Sequence, residues 1–246
     1  MQIFLKKKYV FFIFSLFFHN LCGQGTILVK SIQRADSLFT QKQYGEALEI
    51  YEYLLQRKQR ASPQTLLKMA FITEGLNDYP KTLYYLSLYY YLEGDYRILP
   101  KMDRIAQEYK LKGYEYTDLT LLQAFYYRYV TWFYVLGISV SVFFFLFLHF
   151  RFLRSKTLKN TFFVIFFMFL GVYLGITYLM QAPKQVIIAK PNSYLMKAPS
   201  AGSEVYKIVE AGHRLVWKST QDTWLEVLWD NQPCYIKRSD VFLLDF

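Results

Sequence analysis

The chain has 246 residues, 54% of them hydrophobic and 20% aromatic, and a formal charge of +10. That length holds two small domains beside a membrane part. Seven of the ten surplus positive charges sit beside apolar segments, three in residues 1–24 and four at 151–160. Neither polar region therefore carries the basic footprint of a nucleic-acid binder, and nucleic acid is excluded as a partner.

The start reads as an export signal. Lys6, Lys7 and Lys8 precede the nine-residue apolar run Val10–Phe18 and a polar patch from His19 to Gln24. A positive head, a short apolar run and a polar end are the parts of a secretory signal, and nine residues are too few to span a bilayer. Cleavage is expected after Gly23, giving a signal peptide over residues 1–23. Lipidation at Cys22 is the alternative, disfavoured by the bulky Leu21 before it. Once the signal is removed, Cys234 is the one remaining cysteine, so no intrachain disulfide is available. It reads as a small buried hydrophobe rather than a reactive thiol.

Residues 25–116 have helical periodicity. Ala35, Leu38, Phe39, Tyr44, Ala47, Leu48, Tyr51, Leu54 and Leu55 recur at the spacing of an amphipathic helix pair. A second pair follows, broken at Gly75–Asp78. Tyr44 and Tyr79 stand 35 residues apart, near the 34-residue period of tetratricopeptide repeats. The run Tyr44-Gly-Glu-Ala47-Leu-Glu-Ile-Tyr51 resembles that family's second-helix signature, and the resemblance implies an all-α stack in which Ala47 lets helices approach and Tyr51 fills the gap. The second unit departs from it, with Thr82 where the small residue is expected. Five tyrosines crowd the fourth helix (Tyr84, Tyr85, Tyr89, Tyr90 and Tyr91), which is more than a core requires. They read either as core plus ordinary surface or as a surface for a partner or membrane interface; Tyr84 and Tyr85 are the partner-binding candidates.

Two uncharged 22-residue runs, 129–150 and 161–182, flank the basic segment 151–160. As helices they are about 33 Å long, enough for a hydrocarbon core of roughly 30 Å. The expectation is a transmembrane hairpin within 118–182, with aromatic residues at its outer end and the basic loop in the cytoplasm. Small residues recur four apart, as Gly137 and Ser141 in one run and Gly171 and Gly175 in the other. Antiparallel neighbours are expected to pack Gly137 on Gly175 and Ser141 on Gly171. The expected location is the bacterial inner membrane, with two spans in the lipid bilayer and both soluble domains periplasmic.

Short alternating runs punctuated by turn residues fill 185–246 and predict five or six strands closing into a small all-β barrel. Ser193–Ser200, Glu210-Ala-Gly212, Trp224-Leu-Glu-Val227 and Cys234-Tyr235-Ile236 stand in the order of bacterial SH3 landmarks, and the region resembles that family. Cys-Tyr stands where the family usually has Gly-Trp. The resemblance implies binding of cell-wall peptides or proteins, with Tyr194, Trp217, Trp224, Trp229 and Tyr235 as candidate groove aromatics. Most of these are expected to pack the core.

Signal, tetratricopeptide-like helices, two-span hairpin and SH3-like domain, in that order, resemble the BatE-type proteins of Bacteroides aerotolerance operons. The resemblance implies a non-enzymatic scaffold working with von Willebrand A-domain Bat proteins and a MoxR-type ATPase in stress tolerance. A peptidoglycan-binding sensor is the competing reading. For an enzyme the sequence offers little. His213 and Cys234 form its one Cys–His combination outside the apolar runs, no spacing suggests a metal site, and no serine lies in a nucleophile turn. No catalytic residue, cofactor or metal is expected.

Overall fold

A computed structural model describes residues 29–58, 61–115, 118–151, 156–179 and 184–244. The expected export signal, the cleavage after Gly23 and the alternative at Cys22 lie outside the described residues. The chain divides into two compact units between Leu76 and Asn77.

The first unit contains helix α1 over 29–40, α2 (Tyr44–Lys58) and α3 (Pro63–Gly75). The α1–α2 turn is tight because Lys42 takes a left-handed φ of 62°, returning the chain so that Gln43 N–H donates to Leu38 O at 2.9 Å. Ser62 caps α3 by accepting the Thr65 N–H at 3.1 Å, with Pro63 in the first turn, where no amide is missed. Ala35, Ala47 and Tyr51 are fully buried. The Tyr51 hydroxyl donates to Asp36, whose carboxylate also takes the Lys68 ammonium at 2.7 Å. Burial pushes the Asp36 pKa up, but the bonds from Lys68 and Tyr51 outweigh it and hold the group below the usual value. Phe39, Tyr44 and Phe71 close one end as a triad of edge-on rings, with centroids 5.5, 5.9 and 5.8 Å apart.

The second unit begins with α4 (Tyr79–Glu93), capped by Asp78 accepting from Lys81 N–H at 3.2 Å and ended by Gly94 at φ 61°. A short 3-10 turn and α5 (Leu99–Glu108) follow, then α6 (Asp118–Arg128), α7 (Val130–Arg151) and α8 (Lys156–Leu179). Among the described residues seven strands complete it: β1 (Gln185–Ile188), β2 (Ser193–Met196), β3 (Val205–Val209), β4 (Arg214–Gln221), β5 (Trp224–Trp229), β6 (Gln232–Lys237) and β7 (Val241–Leu244). All ladders are antiparallel, in the order β3-β2-β6-β5-β4-β1-β7. The sheet is built on tight returns at Gly212, Asp222 and Asp230-Asn231, each with φ between 49° and 90°. Its core is Val186, Ile188, Leu195, Leu225, Val227 and Ile236, with Trp229 and Cys234 among them.

Three expectations change here. First, the helical stretch 25–116 is not set apart from the β region: α4 and α5 belong to the unit that holds the sheet. The surplus tyrosines of α4 explain it. Tyr84 stacks on Phe242 of β7 with centroids 4.8 Å apart, and the Tyr91 hydroxyl donates to Gln185 Oε1 of β1 at 2.8 Å. Second, the strand order has two ends. Among the described residues no ladder joins β3 to β7, so hydrogen bonding does not close the expected barrel.

Third, among the described residues no helix is long and apolar enough to cross a membrane. This overturns the transmembrane hairpin and, with it, the two-span inner-membrane placement with a cytoplasmic loop at 151–160. What α7 and α8 do form is an antiparallel pair. Tyr173 lies against Gly137, its hydroxyl donates to Phe133 O at 3.4 Å, and Phe144 meets Phe166 at 5.9 Å.

Candidate partner-binding surface

The aromatic residues of the β region fall into two groups, separated by burial and by what covers them. Trp217, Trp224 and Trp229 do not offer open rings, because each is covered by lysine. Lys184 Nζ lies 4.8 Å from the Trp217 ring centroid and Lys237 Nζ lies 5.7 Å from that of Trp224. Trp229 is only 3% exposed and has both Lys112 and Lys207 Nζ at 4.9 Å. These are cation–π contacts, with the ammonium held over the ring. The Trp217 indole N–H is already spent on Ser219 O at 2.9 Å. Tyr235 is half-buried opposite Glu226 on β5 and Met196 on β2.

Tyr194 is different. It is 53% exposed, and its Cα partner across the β2–β3 ladder is Ile208, 52% exposed. Tyr206 lies two residues from Ile208 on the same face, since side chains alternate along a strand. Val205 to Ile208 are all exposed, and β3 is an end strand of the sheet. An apolar set on a sheet edge is the feature that proteins usually blunt or cover. Tyr194 is therefore the one groove candidate placed on an open surface, and Tyr206 and Ile208 are neighbours that the sequence reading missed. Their signal was present in Val205-Tyr-Lys-Ile208-Val, an alternating strand with apolar residues on both faces.

Behind that edge lies a polar cluster. Lys112 Nζ pairs with both carboxylate oxygens of Asp230 at 2.7 and 2.8 Å, and Lys112 N–H donates to His213 Nδ1 at 3.0 Å. His213 stands edge-on to Trp229, with centroids 5.1 Å apart. Burial, reinforced by Lys112 and Lys207, holds the imidazole pKa below its usual value. Lys112 holds Asp230 below the ordinary carboxylate range.

The Cys–His combination gains no partnership. The Cys234 thiol is buried and donates to Val227 O at 3.5 Å, and burial pushes its pKa up to about 11. Among the described residues no group of three His, Cys, Asp or Glu side chains is arranged to hold a metal ion. Tyr84 and Tyr85 are structural: Tyr84 stacks on Phe242 and Tyr85 is buried.

The four small residues do not meet in the expected pairs. A Cβ on Gly137 would lie 2.6 Å from the Tyr173 ring, whereas Gly171 and Gly175 face open space and Ser141 Oγ donates to Gly137 O at 2.8 Å. Gly137 has taken a partner two residues from the expected one. Two residues turn a helix by about 200°, which carries Gly171 and Gly175 off the shared face.

In the first unit, Ser31, Arg34, Glu49, Ile50 and Tyr53 line an open cleft of about 340 Å³ between α1 and α2. No family model matches the chain, and no curated protein or solved structure matches it either.

Proposed function

We propose that the chain is a non-catalytic adaptor that binds protein partners, with the outward face of the β2–β3 hairpin as its principal contact. The observation that carries this reading is the exposed pair Tyr194–Ile208 on the edge hairpin, extended by Tyr206, while every tryptophan of the same sheet is covered. Large, rigid aromatic side chains on an open surface are the usual anchors of protein interfaces. The α1–α2 cleft, with Arg34 and Glu49 in its wall, supplies a second and more polar contact. The BatE-type resemblance drew on four segments in order, one of them the hairpin; the adaptor reading rests on the edge surface instead. Its implied partners, von Willebrand A-domain proteins and a MoxR-type ATPase, are the first to try.

The test is site-specific photo-crosslinking in the source cell. A photoreactive residue at Tyr194 or Tyr206 is expected to give discrete protein adducts, and one at Lys218, on the remote end of β4, none. Absence of protein adducts at both sites, with co-sedimentation of the full chain on purified peptidoglycan, would replace the adaptor by a wall-binding module.

A further inference from the structure

The adaptor reading leaves open what kind of partner segment the hairpin takes, and β3 itself narrows the choice. It is an end strand, paired on one side by β2, and four consecutive residues of it are exposed. Its two faces differ. Tyr206 and Ile208 share the outer, apolar face with Tyr194. Lys207 points the other way, because its ladder partner is Leu195, a fully buried core residue. The Lys207 ammonium rests over Trp229, and Asp230 beside it is already held by Lys112 in a two-oxygen contact. Among the described residues Lys207 has no carboxylate of its own at ion-pair distance.

We infer that β3 accepts an extended partner segment as an added strand, and that the segment alternates apolar and acidic residues. Strand addition draws affinity from main-chain bonds along the free edge and specificity from alternate side chains. In an added strand, apolar residues stand beside Tyr206 and Ile208, and the residue between them stands beside Lys207. A carboxylate there completes an ion pair with Lys207. A second copy of this chain is a poorer occupant. Antiparallel β3–β3 pairing centred on residue 207 sets Lys207 against its own copy, and like charges directly opposite are unfavourable. The inference rests on the adaptor reading but can fail separately from it.

The experiment is selection of displayed random heptapeptides on the purified full-length chain, followed by N-methylation of each amide of the best peptide in turn. Enrichment of apolar–acidic–apolar alternation is expected, with N-methylation harmful at every second amide and tolerated between. Lys207→Glu is expected to weaken the selected peptide at least about tenfold and to shift selection toward basic residues at the middle position. Lys218→Glu on β4 controls for net charge and should leave binding unchanged. Selection without alternation, N-methyl sensitivity lacking the two-residue period, or indifference to Lys207→Glu would each overturn the inference. So would concentration-dependent dimerisation lost on Ile208→Lys, which would make a second copy the occupant. If partners crosslink at Tyr194 while the β3 variants bind them normally, strand addition fails and the adaptor reading stands.

Discussion

Gly113 lies so close to Arg214 that a Cβ placed on it would stand 2.1 Å from the Arg214 carbonyl oxygen, and its φ of +91° disfavours any side chain. The contact belongs to a seam in which segment 111–114 clips onto the start of β4. Arg214 N–H donates to Lys112 O at 3.0 Å, Arg214 Nε to Gly113 O at 2.6 Å, and the Tyr114 hydroxyl to Gly212 O at 2.8 Å. The Arg214 guanidinium also covers the Tyr114 ring, 4.4 Å from its centroid. Gly113→Ala combines backbone strain with a clash against main chain that cannot rotate away. It should cost about 2–4 kcal/mol of stability in denaturant unfolding.

The helix-to-sheet contact predicts a graded pair of variants. Tyr84→Ala removes the ring stacked on Phe242 and should cost about 2–4 kcal/mol, as large-to-small changes at packed sites do. Tyr91→Phe removes only the hydrogen bond to Gln185 and should cost about 1 kcal/mol. If α4 packed elsewhere, both would behave as ordinary surface changes, within ~0.5 kcal/mol of wild type.

These contacts also show where the sequence was readable. The turns were, because Gly212, Asp222, Asp230 and Asn231 are residue types that tolerate the positive φ they adopt. Helical periodicity identified α4 as having more large apolar residues than a stack needs, but periodicity says which residues are buried and not against what. The partner of Tyr84 is 158 positions away. Most of the groove aromatics were expected in the core, but what covers them was not legible: a lysine such as Lys112 or Lys184 covers a ring only once distant strands and loops converge. The apolar runs 129–150 and 161–182 were judged on length, absence of charge and the basic segment between them, and their pairing on the spacing of small residues; none of these fixes the register that set Gly137 on Tyr173.

His213 should make the seam sensitive to acid. Its Nδ1 accepts from Lys112 N–H, which only the neutral ring can do. Its folded-state pKa lies below the ordinary 6.5, from burial first and then from Lys112 and Lys207. Protonation is therefore harder in the folded chain. The stabilisation is complete above about pH 6.5 and is lost as pH falls through the lower, folded-state pKa. Imidazole titration by NMR should show a midpoint below 6.5, and the Lys112 amide should exchange faster on the acid side. A midpoint at or above 6.5 would contradict this.

Cys234 should be inert in the folded chain. With its thiol buried and its pKa raised to about 11, almost none is thiolate at pH 8. Labelling with a thiol reagent at pH 8 should be slow until denaturant is added, at least about a hundredfold slower than in the unfolded chain. Rapid labelling under native conditions would show β5–β6 to be open.

The claim that matters most is that the β2–β3 edge receives a protein partner. Amide hydrogen exchange across residues 193–196 and 205–209 tests it directly, comparing the free chain with its complex with a crosslink-identified partner. Slowed exchange confined to 205–208, with the paired β5–β6 amides unchanged, is the predicted result. Unaltered exchange at 205–208, with protection appearing instead over α1 and α2, would move the binding surface to the helical cleft and contradict the account.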